Sequence, residues 1–253
     1  MFFNDVFSTI GITFLISMAS IIIFFISTVL FIIFFKKNHD KKLIVGYLVI
    51  VLLSVFGAYI SLPWIFLNEA FHQNDNKLAV AYYDTALKTA IFPKVKATVY
   101  DMKAAHYFTV EKNLPLAIEN CEKFNLLKGD LPGDCALWDM YLINKDYDKA
   151  IEQLKQKNMT QMKAVVYLLK GETSTAIEVM NNKIKINPKP WDYAYRANFY
   201  DYKGNSNLAQ KDYQKALELN PNLSNYPNFK LMRANKNYFF DKLKQNRKEY
   251  NLD

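Results

Sequence analysis

The side chains that could do chemistry are few and scattered. The three histidines, His39, His72 and His106, lie 33 and 34 positions apart. No pair has the short helical spacing that puts two imidazoles on one metal ion. The two cysteines, Cys121 and Cys135, flank the turn-rich run Lys128-Gly129-Asp130-Leu131-Pro132-Gly133-Asp134. A bridge between them is one reading, favoured by an oxidising compartment. Two buried thiols in a helical core is the other. Phosphate loops of the form G-x-x-x-x-G-K-[ST], dinucleotide fingerprints and G-x-S-x-G elbows are all absent from the sequence. Glu119, Glu122, Asp146 and Asp148 fall on exposed helical positions and read as a solvated face. We therefore expect no catalytic residue, no metal and no cofactor, and a chain that is not an enzyme.

What the chain does carry is membrane-like in its first quarter. Residues 10–35 and 43–62 are two uncharged runs rich in Ile, Phe, Leu and Val. At about 1.5 Å per residue each reaches the roughly 30 Å of a hydrocarbon core. Between them, residues 36–42 hold four lysines in seven positions. This predicts a transmembrane helical hairpin over residues 1–62. A cleaved signal is not expected, because the first run lacks a basic start and is too long. Lysines are retained on the cytoplasmic side, most strictly in short loops. The turn is therefore expected in the cytoplasm, with both termini and residues 63–253 on the outer face, periplasmic in a bacterium with an inner membrane. Ser54 and Ala58, and Gly57 and Ser61, form two overlapping small-xxx-small pairs that let a second helix approach closely. They predict a seam against the first run, or against another membrane protein. Pro63 and Trp64 at the exit suit a kink and an interfacial aromatic.

The remainder repeats. In residues 190–221 small and bulky residues alternate at fixed offsets: Ala197, Tyr200, Gly204, Ala209, Tyr213, Ala216 and Pro221. Ala164, Tyr167, Gly171, Ala176, Met180 and Pro188 reproduce those offsets, with Lys183 in the place of the last alanine. Trp138, Tyr141, Lys145, Ala150 and Leu154 follow further back, then Ala105, Phe108, Lys112, Ala117, Cys121 and Phe124. Ala79, Tyr83 and Ala86 suggest one earlier second helix, and Leu67 and Ala70 its degenerate partner. Alanines let two antiparallel helices touch, tyrosines fill the space beside them, glycine ends a helix and proline stops the next. The step after Tyr147 is short by several residues, which predicts a short helix and a loosened array near residues 156–159.

The pattern resembles the tetratricopeptide repeat, over about 155 residues from near Leu67 to Pro221. The resemblance implies an all-α chain: two membrane helices, an α-solenoid of about four to five helix pairs over residues 63–225, and a C-terminal capping helix over residues 226–253. It also implies a concave groove lined by the first helix of each pair. Here that groove would present Met102, His106, Asp139, Met162, Val165, Tyr195, Asn198 and Tyr202. These are mostly apolar or aromatic and suit an extended peptide or a helix docked by apolar anchors. The Lys/Arg/Asn clamp with which some relatives grip acidic chaperone tails is missing, since the matching positions include Met102, His106, Cys135, Asp139, Gln161 and Val165. In such an array consecutive helices touch, which would bring Cys121 and Cys135 within reach of each other.

The net charge is +8, and part of it lies in the C-terminal stretch, which has seven basic and three acidic residues from Pro227 on. Phe229, Met232, Lys236, Phe239 and Leu243 recur there at helical spacing, predicting one helix that caps the array. An attraction to anionic headgroups or to an acidic partner is the alternative. Nucleic acid and small-molecule substrates are not expected. The leading expectation is a membrane-anchored scaffold that binds a protein or peptide partner at the outer face of the cytoplasmic membrane, in secretion, pilus or envelope assembly. The alternative is an accessory structural subunit of a larger membrane enzyme or transporter.

Overall fold

In the computed structural model the described residues are 19, 22–23, 25–26, 28–29, 32–33, 41–129, 131 and 135–252. They form helices and no strand. The expected first span and its lysine turn fall largely outside them. Nine positions within the first run, from Ala19 to Ile33, are helical. The Thr28 hydroxyl lies 3.3 Å from that of Tyr47.

Helix α1 runs unbroken over Lys41–His72, about 48 Å at the usual rise. Residues Ile44–His72 are long and apolar enough to cross a membrane, with mean hydropathy 2.3 and little of that surface buried. The domain boundary expected after residue 62 is not a helix end, and Pro63 sits inside the helix. Beyond it the same helix turns from lipid-like to core-like. Leu67 and Ala70 are buried against Tyr83, Ala86 and Val99. The apolar span and the first helix of the first repeat are thus one rod, with no linker between them.

Chain contacts divide the protein into two units, residues 1–135 and 136–253. The first unit pairs α1 with α2 (Asn76–Thr89), and α3 (Pro93–Thr109) with α4 (Leu114–Leu127). The Asp75 carboxylate caps α2 by accepting from the amides of Lys77 and Leu78 at 2.9 and 3.1 Å. Pro93 opens α3, where a missing amide costs nothing. The second unit pairs α5 (Leu137–Ile143) with α6 (Tyr147–Gln156), α7 (Thr160–Leu169) with α8 (Thr173–Ile186), and α9 (Pro190–Tyr202) with α10 (Ser206–Leu219). A 3-10 turn, Pro221–Asn225, then leads to α11 (Pro227–Ala234) and α12 (Tyr238–Glu249).

The alanines mark the helix contacts. Ala150, Ala164, Ala176, Ala197 and Ala216 are fully buried, as is Ala117. In the four pairs from α3–α4 to α9–α10 the turn contains one left-handed residue, filled by Lys112 (φ 54°), Lys145 (64°), Gly171 (93°) and Gly204 (87°). In the last three pairs the amide after that turn reaches back five residues, from Asp146 to Tyr141, Glu172 to Tyr167 and Asn205 to Tyr200. In the α3–α4 pair it reaches back six, from Asn113 to Tyr107 at 2.8 Å. That extra residue corrects the register read from the sequence: Ala104 is the buried small residue, and Ala105 is exposed. Helix α6 is short, ten residues against fourteen in α4, α8 and α10.

The C-terminal stretch is two helices rather than one. The chain breaks at residues 235–237, where the Asn235 side chain accepts from the Asn237 amide at 2.9 Å and donates to Asp241 at 2.8 Å. Asparagine side chains that bond nearby backbone compete with helix continuation in this way.

Candidate functional site

The first helices of the second unit's pairs, α5, α7 and α9, line one face, and α11 and α12 lie against it. Tyr195 and Phe199 on α9 pack on Phe239 of α12, with ring centroids 5.3 and 5.8 Å apart. Tyr202 stacks on Phe240 at 4.7 Å. At the far end, Arg247 donates to the carbonyl of Ile143 at 2.6 Å, occupying an orphan acceptor at the C-terminus of α5. It also donates to the Leu252 carbonyl. Helix α12 therefore crosses the face that the sequence assigns to a partner, and is pinned at both ends.

Asn198 joins the same seam. It is fully buried, and its Nδ2 donates to the carbonyls of Met232 and Asn235 at 2.9 and 3.0 Å. The Met232 carbonyl also accepts from the Tyr213 hydroxyl at 2.8 Å. These two side chains satisfy the end of α11, where the last carbonyls lack helical partners. Burial pushes the Tyr213 phenol well above its ordinary range.

Between α12 and the helices beneath it a cavity of about 720 Å³ stays open. Met162, Val165, Leu169, Trp191 and Tyr195 give it an apolar floor; Asp139, Lys189 and Lys242 are the charged residues of its lining. Burial raises the Asp139 carboxyl against the opposing pull of Lys242. A cavity of this size accepts a few side chains of a peptide.

Of the eight groove residues expected from the sequence, Asp139, Met162, Val165 and Tyr195 line the cavity. Asn198 and Tyr202, with Tyr195, hold the chain's own C-terminus. The other two lie in the first unit and belong to its interior. Met102 packs against the Leu67–Tyr83–Val99 cluster. His106 is buried with its ring 5.7 Å from that of Tyr83 and its Nε2 3.3 Å from a Glu111 carboxylate oxygen. Of the small residues in α1, Ser54 and Ser61 are buried and bond back to the carbonyls of Ile50 and Ala58, at 2.8 and 2.7 Å. Gly57 and Ala58 are half-buried.

Two polar clamps have no forerunner in the expected sites. Asp192 is fully buried in the first turn of α9, accepting from Gln161 of α7 at 2.6 Å and from the Lys189 amide at 3.2 Å. Its place three residues after the N-cap, Lys189, is the one signal that could have found it. Arg196 makes a bidentate pair with Asp212, both bonds 2.7 Å, and reaches Asn181 at 2.7 Å, linking α8, α9 and α10. The Cys121 and Cys135 sulfurs are at bonding distance, with Cα atoms 5.7 Å apart. Among the described residues no group of three His, Cys, Asp or Glu side chains could hold a metal ion.

The tetratricopeptide repeat family matches residues 193–223, the α9–α10 pair with the turn that follows it. No curated protein and no solved structure matches the chain.

Proposed function

We propose that the protein is a membrane-anchored scaffold whose second unit holds a protein partner by an apolar segment placed in the cavity beneath α12. A tetratricopeptide repeat suggests a protein-interaction scaffold. The observation that carries the finer reading is the cavity itself: α12 covers the lining face of α5, α7 and α9 yet leaves about 720 Å³ unfilled. Its apolar floor, with Asp139, Lys189 and Lys242 as its few charges, suits a peptide with one or two aromatic or aliphatic anchors. In this reading the chain recruits and positions, and performs no chemistry. The hairpin of residues 1–62 anchors it, the lysine turn faces the cytoplasm, and the repeats lie outside, where secretion, pilus or envelope assembly would supply partners.

Two measurements test this. A photo-crosslinking residue in place of Met162, on the cavity floor, should capture one discrete partner in native membranes, whereas the same residue in place of exposed Lys211 should not. Equal crosslinking at both sites, or none at Met162, would sink the cavity reading. Single engineered cysteines at Asn38 and Asn251, with Cys121 and Cys135 removed, report the topology in intact cells. Labelling of Asn251 alone by an impermeant reagent supports the outward orientation, and labelling of Asn38 alone reverses it.

A further inference from the structure

The first unit carries an exposed apolar corner whose height along α1 is set by the helix hairpin. Helices α1 and α2 are joined at residues 73–75 and run antiparallel, with Phe66 facing Tyr82 at 6.3 Å and Leu67 sharing a core with Tyr83. Each residue toward the end of α2 therefore travels about 1.5 Å back along α1, toward the span. Thr89, seven residues after Tyr82, is level with Tyr59, seven residues before Phe66. Ala90, Ile91 and Phe92 follow, in the connection to α3.

Tyr59 is within the apolar run of residues 43–62. At that height α1 still shows Val55, Phe56 and Tyr59 to the outside. Ile91 and Phe92 are themselves 45% and 46% exposed, side by side at the tip of the corner. Lys88 and Lys94 stand exposed on either side of them, with Lys96 half-buried one turn on. The chain has no acidic residue between Asp84 and Asp101. An apolar tip ringed by lysines, level with the end of a span, has the chemistry of a bilayer interface: hydrocarbon for the tip, phosphates for the amines.

We infer that the α2–α3 corner is a second membrane contact, in which Ile91 and Phe92 enter the bilayer surface while Lys88, Lys94 and Lys96 meet anionic headgroups. The inference rests on the anchoring of α1 proposed above. Because α1 is one rod through Pro63, this contact would fix the rotation of the first unit about the span as well as its height. A span alone would leave that rotation free.

The test uses the full chain in nanodiscs of phosphatidylcholine and phosphatidylglycerol. A ketone-bearing residue carrying a nitroxide replaces Phe92, Leu53 or Leu78 in turn, which leaves Cys121 and Cys135 untouched. Relaxation by oxygen, which enriches in lipid, is compared with relaxation by a water-soluble nickel chelate. Leu53 lies in the span, and Leu78 lies at the opposite end of the α1–α2 hairpin from the corner. Leu53 and Phe92 should both favour oxygen, and Leu78 should favour nickel. If Phe92 behaves as Leu78 does while Leu53 favours oxygen, the corner stays in water and the inference is overturned with the anchor intact. If Leu53 itself favours nickel, the anchor reading fails and takes this inference with it.

Discussion

Four left-handed residues close the turns of four helix pairs, and they are not equivalent. Glycine adopts that conformation at no steric cost, whereas a side chain there costs about 1 kcal/mol or more. Lys145, at φ 64°, bears that cost and Gly204, at φ 87°, does not. Lys145→Gly should raise stability by about 1 kcal/mol and Gly204→Ala should lower it by a similar amount, both read as shifts in the thermal midpoint. A methyl at Gly204 meets no neighbouring atom, so any loss there is purely backbone strain. The buried tyrosines set a different limit. Burial lifts the Tyr83 phenol to about 12 from its usual 10. The unfolded chain then loses its proton first, so this residue's contribution is whole below pH 10 and drains away as pH rises toward 12. About 2–3 kcal/mol is at stake for a shift of that size. Tyr83→Phe should leave stability near pH 7 almost unchanged and flatten its decline between pH 10 and 12, measured by denaturant titration at each pH.

Helix α12 is the element whose role differs most from what its sequence suggests. Its apolar stripe packs across the lining face of α5, α7 and α9, through Phe239 and Phe240, and its end is held by Arg247. The contacts that hold it there are made by its side chains, the Phe239 and Phe240 rings and the Arg247 guanidinium. Removing a buried phenyl ring costs about 3 kcal/mol. Phe239→Ala should therefore loosen α12 selectively. Amide exchange across Tyr238–Glu249 should rise on the order of 100-fold, while the α9–α10 pair keeps its protection. Equal acceleration in both would mean that α12 is part of the same cooperative unit and cannot open by itself. Asp192 and Arg196 make the α7–α10 block more rigid than alanine contacts alone would. Asp192 ties α9 to α7 of the preceding pair, and Arg196 ties α9 to α10 and, through Asn181, to α8 of the preceding pair, all by charge-assisted bonds.

The continuity of α1 decides how the protein can be divided. Leu67 and Ala70 belong to the helix that bears the apolar span, yet they complete the core around Tyr83, Ala86 and Val99. A fragment starting at Asn76 would expose that core. It should be recovered aggregated or with the α2 region unprotected. A fragment starting at Pro63 keeps Leu67 and Ala70, and should be soluble and cooperatively folded, judged by gel filtration and thermal melting. Equal behaviour of the two would show that residues 63–72 of α1 contribute little to the fold of the first unit. The same rod links any rotation of the span to the first repeat directly, since no flexible residue separates them.

Much of this architecture is local and therefore legible in the sequence. An uncharged run of twenty residues, and alanines, tyrosines and turn glycines at repeated offsets, state their structural meaning wherever they occur. Ala197, Ala209, Ala216 and Gly204 sit where the repeat pattern puts them because helix contact distance and backbone sterics act within one pair. Three features were decided in three dimensions. Periodicity shows that one side of α12 is buried, but a helix covering the end of an array and one lying across its inner face require the same spacing of Phe239 and Leu243. The boundary expected at residue 62 is not a helix end, because α1 runs on through Pro63 and places Leu67 and Ala70 in a core made by distant residues, which composition does not reveal. Ala104 replaced Ala105 because one extra residue in the turn rotates α3 by about 100°, and hydrogen-bond closure of that turn, rather than any residue type, selects the register.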